Sequence, residues 1–207
     1  MGKHKNLVSG IGSTKQTISY YDNWANNYDR TLKKWGYQAP SKTSNILKSY
    51  LISQPKNILD LACGTGLFAQ EIATIYPKFT IDGIDISKKI ISQARIKKIY
   101  RKIYCFDFNK KILIDIKYDL IACIGAMTYS KDPKKLILDT HNLTKHKGYF
   151  IFTHRADLWK KQGFDKLLIS LSKKWKVVHV SRPVLYLPNN KDFIDKIKIK
   201  IVLLRSC

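Results

Sequence analysis

Long apolar runs are what this 207-residue sequence most plainly lacks. No segment approaches the ~18 consecutive apolar residues of a membrane-crossing helix, so a helical membrane protein is excluded. The opening Met1-Gly2-Lys3-His4-Lys5-Asn6 carries no apolar signal core. It also lacks the Ser or Thr at position 6 that accompanies N-myristoylation. Cysteine is scarce: Cys63, Cys105, Cys123 and Cys207 form no C-x-x-C pair, and no histidine stands at zinc-finger spacing from them. A disulfide framework and a structural metal are therefore not expected, no metal ligand is assigned, and the cytoplasm is the expected compartment. Acidic residues are few, 15 against 38 basic, for a net charge of +23. Arginine is scarcer still, confined to Arg30, Arg95, Arg101, Arg155, Arg182 and Arg205, so 32 of the basic residues are lysine. Phosphate-binding surfaces favour clustered charge and the planar guanidinium, whereas these lysines are scattered. The charge reads first as a solvated surface in a Lys- and Ile-rich chain, with a nucleic-acid partner as the lesser reading.

What is present describes a packed globular chain, 44% hydrophobic and 26% charged. A chain this long buries roughly 70% of its unfolded surface, which suits one domain over residues 1–207. Within it, 14–53 reads as an N-terminal helical cap and 54–207 as the core. The cap is expected as one helix from Thr17 to Lys34 and a second from Lys42 to Ile52, started by Pro40. After Pro55, short apolar runs alternate with helical stretches. Strands are expected at Asn57–Leu61, Phe79–Ile84, Lys102–Phe106, Tyr118–Ile124, Tyr149–Thr153, Trp175–Val180 and Ile197–Leu204. Helices are expected up to Tyr76, from Ser87 to Lys98, from Pro133 to Lys145 and from Phe164 to Lys174. Continuous apolar strands alternating with helices imply a doubly wound, mostly parallel α/β sheet of seven strands. No crossover helix separates the last two strands, so they are expected to pair antiparallel and to place a reversed strand at the sheet edge.

The strongest local signal is Leu59-Asp60-Leu61-Ala62-Cys63-Gly64-Thr65-Gly66. Its glycines let a backbone turn sharply beside a ligand, and the helix that follows points free N–H groups at that point. Asp85 ends the second strand, where a carboxylate can accept hydrogen bonds from a ribose diol. Asp107 ends the third, within reach of an adenine amino group. Gly64-Thr65-Gly66-Leu67-Phe68-Ala69 also fits a dinucleotide fingerprint. Three features argue against a nicotinamide enzyme: the charge of Asp60 at the loop, two helices before the first strand, and a chain short for an added substrate domain.

In order and spacing, five segments resemble the class I S-adenosylmethionine-dependent methyltransferases: Leu59 to Gly66, Ile81 to Ser87, Cys105 to Phe108, Tyr118 to Ala126 and Lys147 to Phe150. The stretch Tyr21 to Asp29 resembles the cap of the small-molecule, ubiquinone-type branch. The resemblance covers roughly residues 17 to 205 and implies a Rossmann-like methyltransferase fold. It implies that Asp60, Ala62 and Gly64 hold the methionine amino group of S-adenosylmethionine, with Thr65 and Gly66 facing the carboxylate. Asp85 would take the ribose, Ile86 and Phe108 would flank the adenine, and Asp107 would meet its amino group. Cys123, Ile124, Gly125 and Ala126 would line the floor near the sulfonium.

Tyr21, Trp24 and Tyr28 share one helix face. That stripe either packs on the sheet or forms a lid over the cofactor, with Tyr21 and Tyr28 against it. His154 and Arg155 follow the fifth strand, at the ligand-binding end of the sheet. They are the candidates for a general base and an anion contact. The expected activity is methyl transfer to a small-molecule acceptor by in-line displacement. The alternatives are an RNA or protein methyltransferase using the basic surface, and a non-catalytic binding relative. No N-P-P-Y-like motif follows the fourth strand, where Cys123-Ile124-Gly125-Ala126-Met127 stands.

Overall fold

Residues 12–193 and 197–207 are described by the structure, a computed structural model. The cap begins with α1 (Thr14–Trp24). Its start is fixed by Ser13 and Gln16, whose side chains reciprocally satisfy each other's backbone N–H groups. A 3₁₀ turn at Ala25–Asn27 separates it from α2 (Tyr28–Lys34). The single helix expected over Thr17–Lys34 is therefore two, broken at Asn26-Asn27, where propensity is weak. α3 (Ala39–Tyr50) carries Pro40 in its first turn and starts three residues earlier than expected.

The core follows the expected alternation: β1 (Asn57–Leu61), α4 (Leu67–Ile75), β2 (Thr80–Asp85), α5 (Lys88–Ile96), β3 (Lys102–Cys105) and β4 (Tyr118–Cys123). After α6 (Pro133–Leu143) comes β5 (Thr144–Arg155), longer at both ends than its apolar run. A short α7 (Ala156–Trp159) and α8 (Phe164–Ser170) precede β6 (Trp175–Val180), β7 (Val184–Leu185) and β8 (Lys198–Ser206). The sheet order is β3-β2-β1-β4-β5-β8-β6, with β7 also pairing β8. β1 to β5 are mutually parallel, and β8 is antiparallel to β5, β6 and β7. The reversal lies at the expected end of the sheet, with β6 and β7 flanking the reversed strand. β7 makes eight strands among the described residues where seven were expected; two residues are too few to read as an apolar run.

Alternation along the strands divides the core in two. Leu59, Ile121, Cys123, Phe150, Phe152 and Val202 face one layer, packed with Phe164 and Trp175. Ile58, Leu120, Ala122, Ile151, Ile201 and Leu203 face the other, against Leu47 of α3 and Phe68 and Ile72 of α4. Each fully buried side chain of this size stabilises the fold by roughly 1.5–3 kcal/mol. A third cluster holds the cap down: Trp24 and Leu32 pack on Leu187, Phe193 and Ile197. The segment leading into β8 thus completes the cap, a contribution that the N-terminal boundary of 14–53 leaves out.

Candidate active site

Doubly wound sheets leave a crevice at the carboxyl ends of their central strands, and here β1, β2, β3 and β4 end around a cavity of about 410 Å³. The loop after β1 forms one wall. Cys63 N–H donates to the Ile84 carbonyl at 2.9 Å, and Gly64 N–H donates to Asp85 Oδ2 at 2.9 Å, so the loop is tied to the end of β2. Asp85 Oδ1 accepts from Ser87 N–H, also at 2.9 Å. Asp85 lines the cavity, and its burial raises its pKa although these backbone donors oppose the rise. Ala62, at φ 55°, sits in the left-handed region, where its Cβ costs roughly 1 kcal/mol. A side chain built on Gly64 would meet nothing within 4 Å, so the loop's backbone lies open to the cavity.

Ile86, Asp107, Phe108 and Gly125 line this cavity as well, as do Tyr21 and Tyr28 from the cap. Asp107 Oδ1 accepts from Asn109 N–H at 2.9 Å and from Asn109 Nδ2 at 3.0 Å. Asn109, itself a lining residue, also binds the Tyr129 carbonyl and the Lys131 N–H, so the loop after β3 is braced against the loop after β4.

Asp60 and Thr65 line a narrower recess that shares Ala62 and Gly64 with the main cavity. Asp60 is 1% exposed. Burial pushes its pKa up to about 7, against the pull of the Tyr100 hydroxyl, which donates to Oδ2 at 2.7 Å. The Thr65 hydroxyl donates to Asp29 of α2, and Asp29 is paired with Lys97 at 2.8 Å. Gly66 lines neither space; its φ of 88° and the 3.0 Å approach of a Cβ there to the Tyr100 ring both require glycine.

Two further expectations are corrected by strand alternation. Cys123 is fully buried in the layer of Phe150 and Phe152, and the cavity floor is made instead by Ile124, Gly125 and Ala126. His154 points to that same layer, 1% exposed and stacked on Phe164 with ring centroids 4.1 Å apart. Burial lowers its pKa to about 4. It does not line the cavity, whereas Arg155, one residue on, does. Arg155 is held by Asp157 through Nε at 3.0 Å and Nη2 at 2.7 Å.

The roof is a set of tyrosines, of which the sequence pattern marked only Tyr21 and Tyr28. Tyr37, Tyr129 and Tyr186 join them. Tyr21 and Tyr129 share a hydrogen bond at 2.9 Å, and the rings of Tyr37 and Tyr186 meet edge to face at 5.4 Å. The last three come from loops and from the segment before β8, which carry no periodicity to reveal them. The stripe divides its labour: Tyr21 and Tyr28 reach the cavity, while Trp24, 6% exposed, anchors the cap.

Comparison with known proteins places this geometry. A model described as "Methyltransferase domain" matches residues 52–191. Methyltransferase-like protein 27 of Homo sapiens is 30% identical over 169 residues, 79% of this chain and 68% of that protein. Malonyl-[acyl-carrier protein] O-methyltransferase of Legionella pneumophila is 31% identical over 107 residues, 50% of this chain and only 38% of that protein. Among solved structures, N-methyltransferase NodS from Bradyrhizobium japonicum, in complex with S-adenosyl-L-homocysteine, superimposes with a TM-score of 0.67 at 16% identity. That match covers 94% of this chain and 99% of NodS. The plantazolicin methyltransferase BpumL gives 0.62 at 18%, covering 98% and 93%. The two solved structures share this fold, and on the matched domain and the relatives together the chain belongs to the class I S-adenosylmethionine-dependent methyltransferases.

Proposed function

We propose that this enzyme carries the methyl group of S-adenosylmethionine to a small-molecule acceptor held beneath the tyrosine roof. The observation that carries the reading is that the strand-end carboxylates and the cap tyrosines line one cavity of about 410 Å³. That volume is in the range of small-ligand sites. The residues fit the cofactor: the Gly64 backbone is open to the cavity, and Asp85 and Asp107 line it. Asp85 would hold the ribose hydroxyls. Asp107, braced by Asn109, would meet the adenine edge between Ile86 and Phe108. Asp60 would take the ammonium group across Ala62 and Gly64, and Thr65 would serve by fixing the loop to the cap.

When bound, S-adenosylmethionine supplies a methyl already activated on a sulfonium. The protein's work is then to orient the acceptor and exclude water. The tyrosine roof would serve both needs, since Tyr21, Tyr28, Tyr37 and Tyr186 line the cavity together with Gly125. The four cysteines are free thiols, in keeping with a cytoplasmic setting.

Calorimetric titration with S-adenosylmethionine tests the assignment. Removing a charged hydrogen-bond acceptor costs roughly 1.5–3 kcal/mol, so Asp85→Ala is expected to weaken binding by about 100-fold. Unchanged affinity would overturn the site. Salt-dependent retention of RNA by the pure protein, with methyl transfer to that RNA, would replace the small-molecule acceptor by a polymer.

A further inference from the structure

Beyond the cofactor residues lies a smaller recess of about 40 Å³, which shares Tyr21, Tyr28, Gly125, Tyr129, Arg155 and Tyr186 with the main cavity. Its outer walls are apolar, made by Trp24, Leu32, Leu187 and Phe193. Among its described lining residues there is no carboxylate and no imidazole; the one ionised side chain is Arg155. The other polar side-chain groups are hydroxyls and the indole N–H of Trp24, all of them able to donate. Thr153 Oγ1 already accepts from Gly125 N–H at 2.7 Å. Tyr21 and Tyr129 are joined by one hydrogen bond, so their two hydroxyl hydrogens include one for another acceptor. Burial raises the pKa of Tyr21, Tyr28, Tyr129 and Tyr186, which keeps these phenols as neutral donors.

We infer that this recess is the acceptor subsite and that the acceptor is a carboxylate on an apolar body, held by Arg155, the Tyr186 hydroxyl and the one hydroxyl hydrogen that the Tyr21–Tyr129 pair leaves for it. The inference rests on the small-molecule methyl transfer proposed above. A recess that offers donors and one cation suits an oxygen anion. Guanidinium and carboxylate make charge-assisted, directional bonds. An amine acceptor is protonated near neutral pH and needs a base to take its proton before attack. A carboxylate needs none. Its oxygen forms the new O–CH₃ bond as the sulfur–CH₃ bond breaks, and the bonding pair stays on sulfur. The acceptor's negative charge is used up, the product is a methyl ester, and no proton has to leave. Asp157 fixes the plane of the Arg155 guanidinium in the wall, where the Arg155 side chain is 15% exposed.

The experiment uses the full chain loaded with S-adenosylhomocysteine and two matched sets of probes: benzoate, benzamide and benzylamine, and butyrate, butyramide and butylamine. Calorimetry is expected to show each acid binding at least ~10-fold tighter than its amide or amine. Arg155→Met should weaken the acids at least ~10-fold, Arg155→Lys should recover part of the loss, and neither should shift S-adenosylhomocysteine affinity more than about twofold. With methyl-labelled S-adenosylmethionine, the label transferred to acids should be released as methanol by mild base. Acids that bind no better than amides or amines, an Arg155→Met variant with unchanged acid affinity, or base-stable label on an amine would each overturn the carboxylate assignment and leave the methyltransferase reading intact. A wild-type protein that binds no S-adenosylhomocysteine would instead overturn the function proposed above.

Discussion

The carboxylate of Asp22, on the first cap helix, accepts a hydrogen bond from the Ser87 hydroxyl at 2.5 Å. It also accepts from Lys89 N–H at 3.2 Å, one of the open donors at the start of α5. Ser87 N–H in turn donates to Asp85. The cap and the Asp85 carboxylate therefore grip the same turn from two sides. Loss of one buried or half-buried cap contact costs about 1 kcal/mol. Asp22→Ala is expected to lower stability by about that amount and to weaken S-adenosylmethionine binding by about 10-fold. Thermal unfolding and calorimetry on one preparation check both. Weakened stability with full cofactor affinity would show that the contact holds the cap alone.

Asp60 is a buried carboxylate whose charge costs the fold stability. Its folded pKa of about 7 lies above that of an exposed carboxylate, because burial disfavours the charge. The folded state therefore binds more protons than the unfolded state between about pH 4 and pH 7, and this residue's contribution to stability falls as pH rises through that window. Asp60→Asn keeps an acceptor for the Tyr100 hydroxyl and removes the charge. At pH 8 the variant should be more stable than the parent by on the order of 2 kcal/mol and bind S-adenosylmethionine far less well. A destabilised Asp60→Asn protein would contradict this account.

His154 has the opposite sign. Its folded pKa of about 4 lies below the ordinary value of 6.5, so the unfolded state binds more protons between those limits. Its stabilisation is present above about pH 6.5 and is lost as pH falls toward 4. His154→Leu should flatten that slope and leave the methyl-transfer rate within about threefold of the parent, because the ring packs on Phe164 and not in the cavity. A hundredfold loss of rate with intact folding would return His154 to the catalytic machinery.

Gly125 lies directly under the roof, at φ 80°. A Cβ there would come within 2.8 Å of the Tyr37 hydroxyl and 3.1 Å of that of Tyr186. Gly125→Ala should displace these phenols and lower kcat at least about 10-fold, with a smaller change in affinity for S-adenosylhomocysteine. Equal loss of both would mean that the floor serves the cofactor alone.

The strand-end wall of the cavity is legible in the sequence because it is local. Asp60, Ala62, Gly64, Asp85, Ile86, Asp107 and Phe108 stand at or just beyond strand ends, where an apolar run stops, and those ends form the cavity and its recess. Position beside a strand end says less about which way a side chain points. One step of alternation sends Arg155 into the cavity and His154 into the core, and it sends Cys123 away from the floor. At Gly66 part of the constraint is distant: besides its left-handed φ, a Cβ would crowd Tyr100, more than thirty residues on. The roof was half legible. Tyr21 and Tyr28 show a helical period, whereas Tyr129 and Tyr186 are brought in by tertiary packing. The split of the first helix and the added β7 were hidden because each depends on two or three residues.

The outer edge of the sheet is interrupted. β6 and β7 lie along the same side of β8, separated by Ser181, Arg182 and Pro183. In the gap, Ile201 N–H donates to the Ser181 hydroxyl at 2.9 Å in place of a strand carbonyl, and Pro183 has no N–H to offer. A continuous bare edge is a template on which another strand can grow. This one is broken by a residue that cannot extend a ladder, with β6 ending just before it and β7 only two residues long. The fold thus limits its own capacity for edge-to-edge aggregation at the end of the sheet farthest from β3.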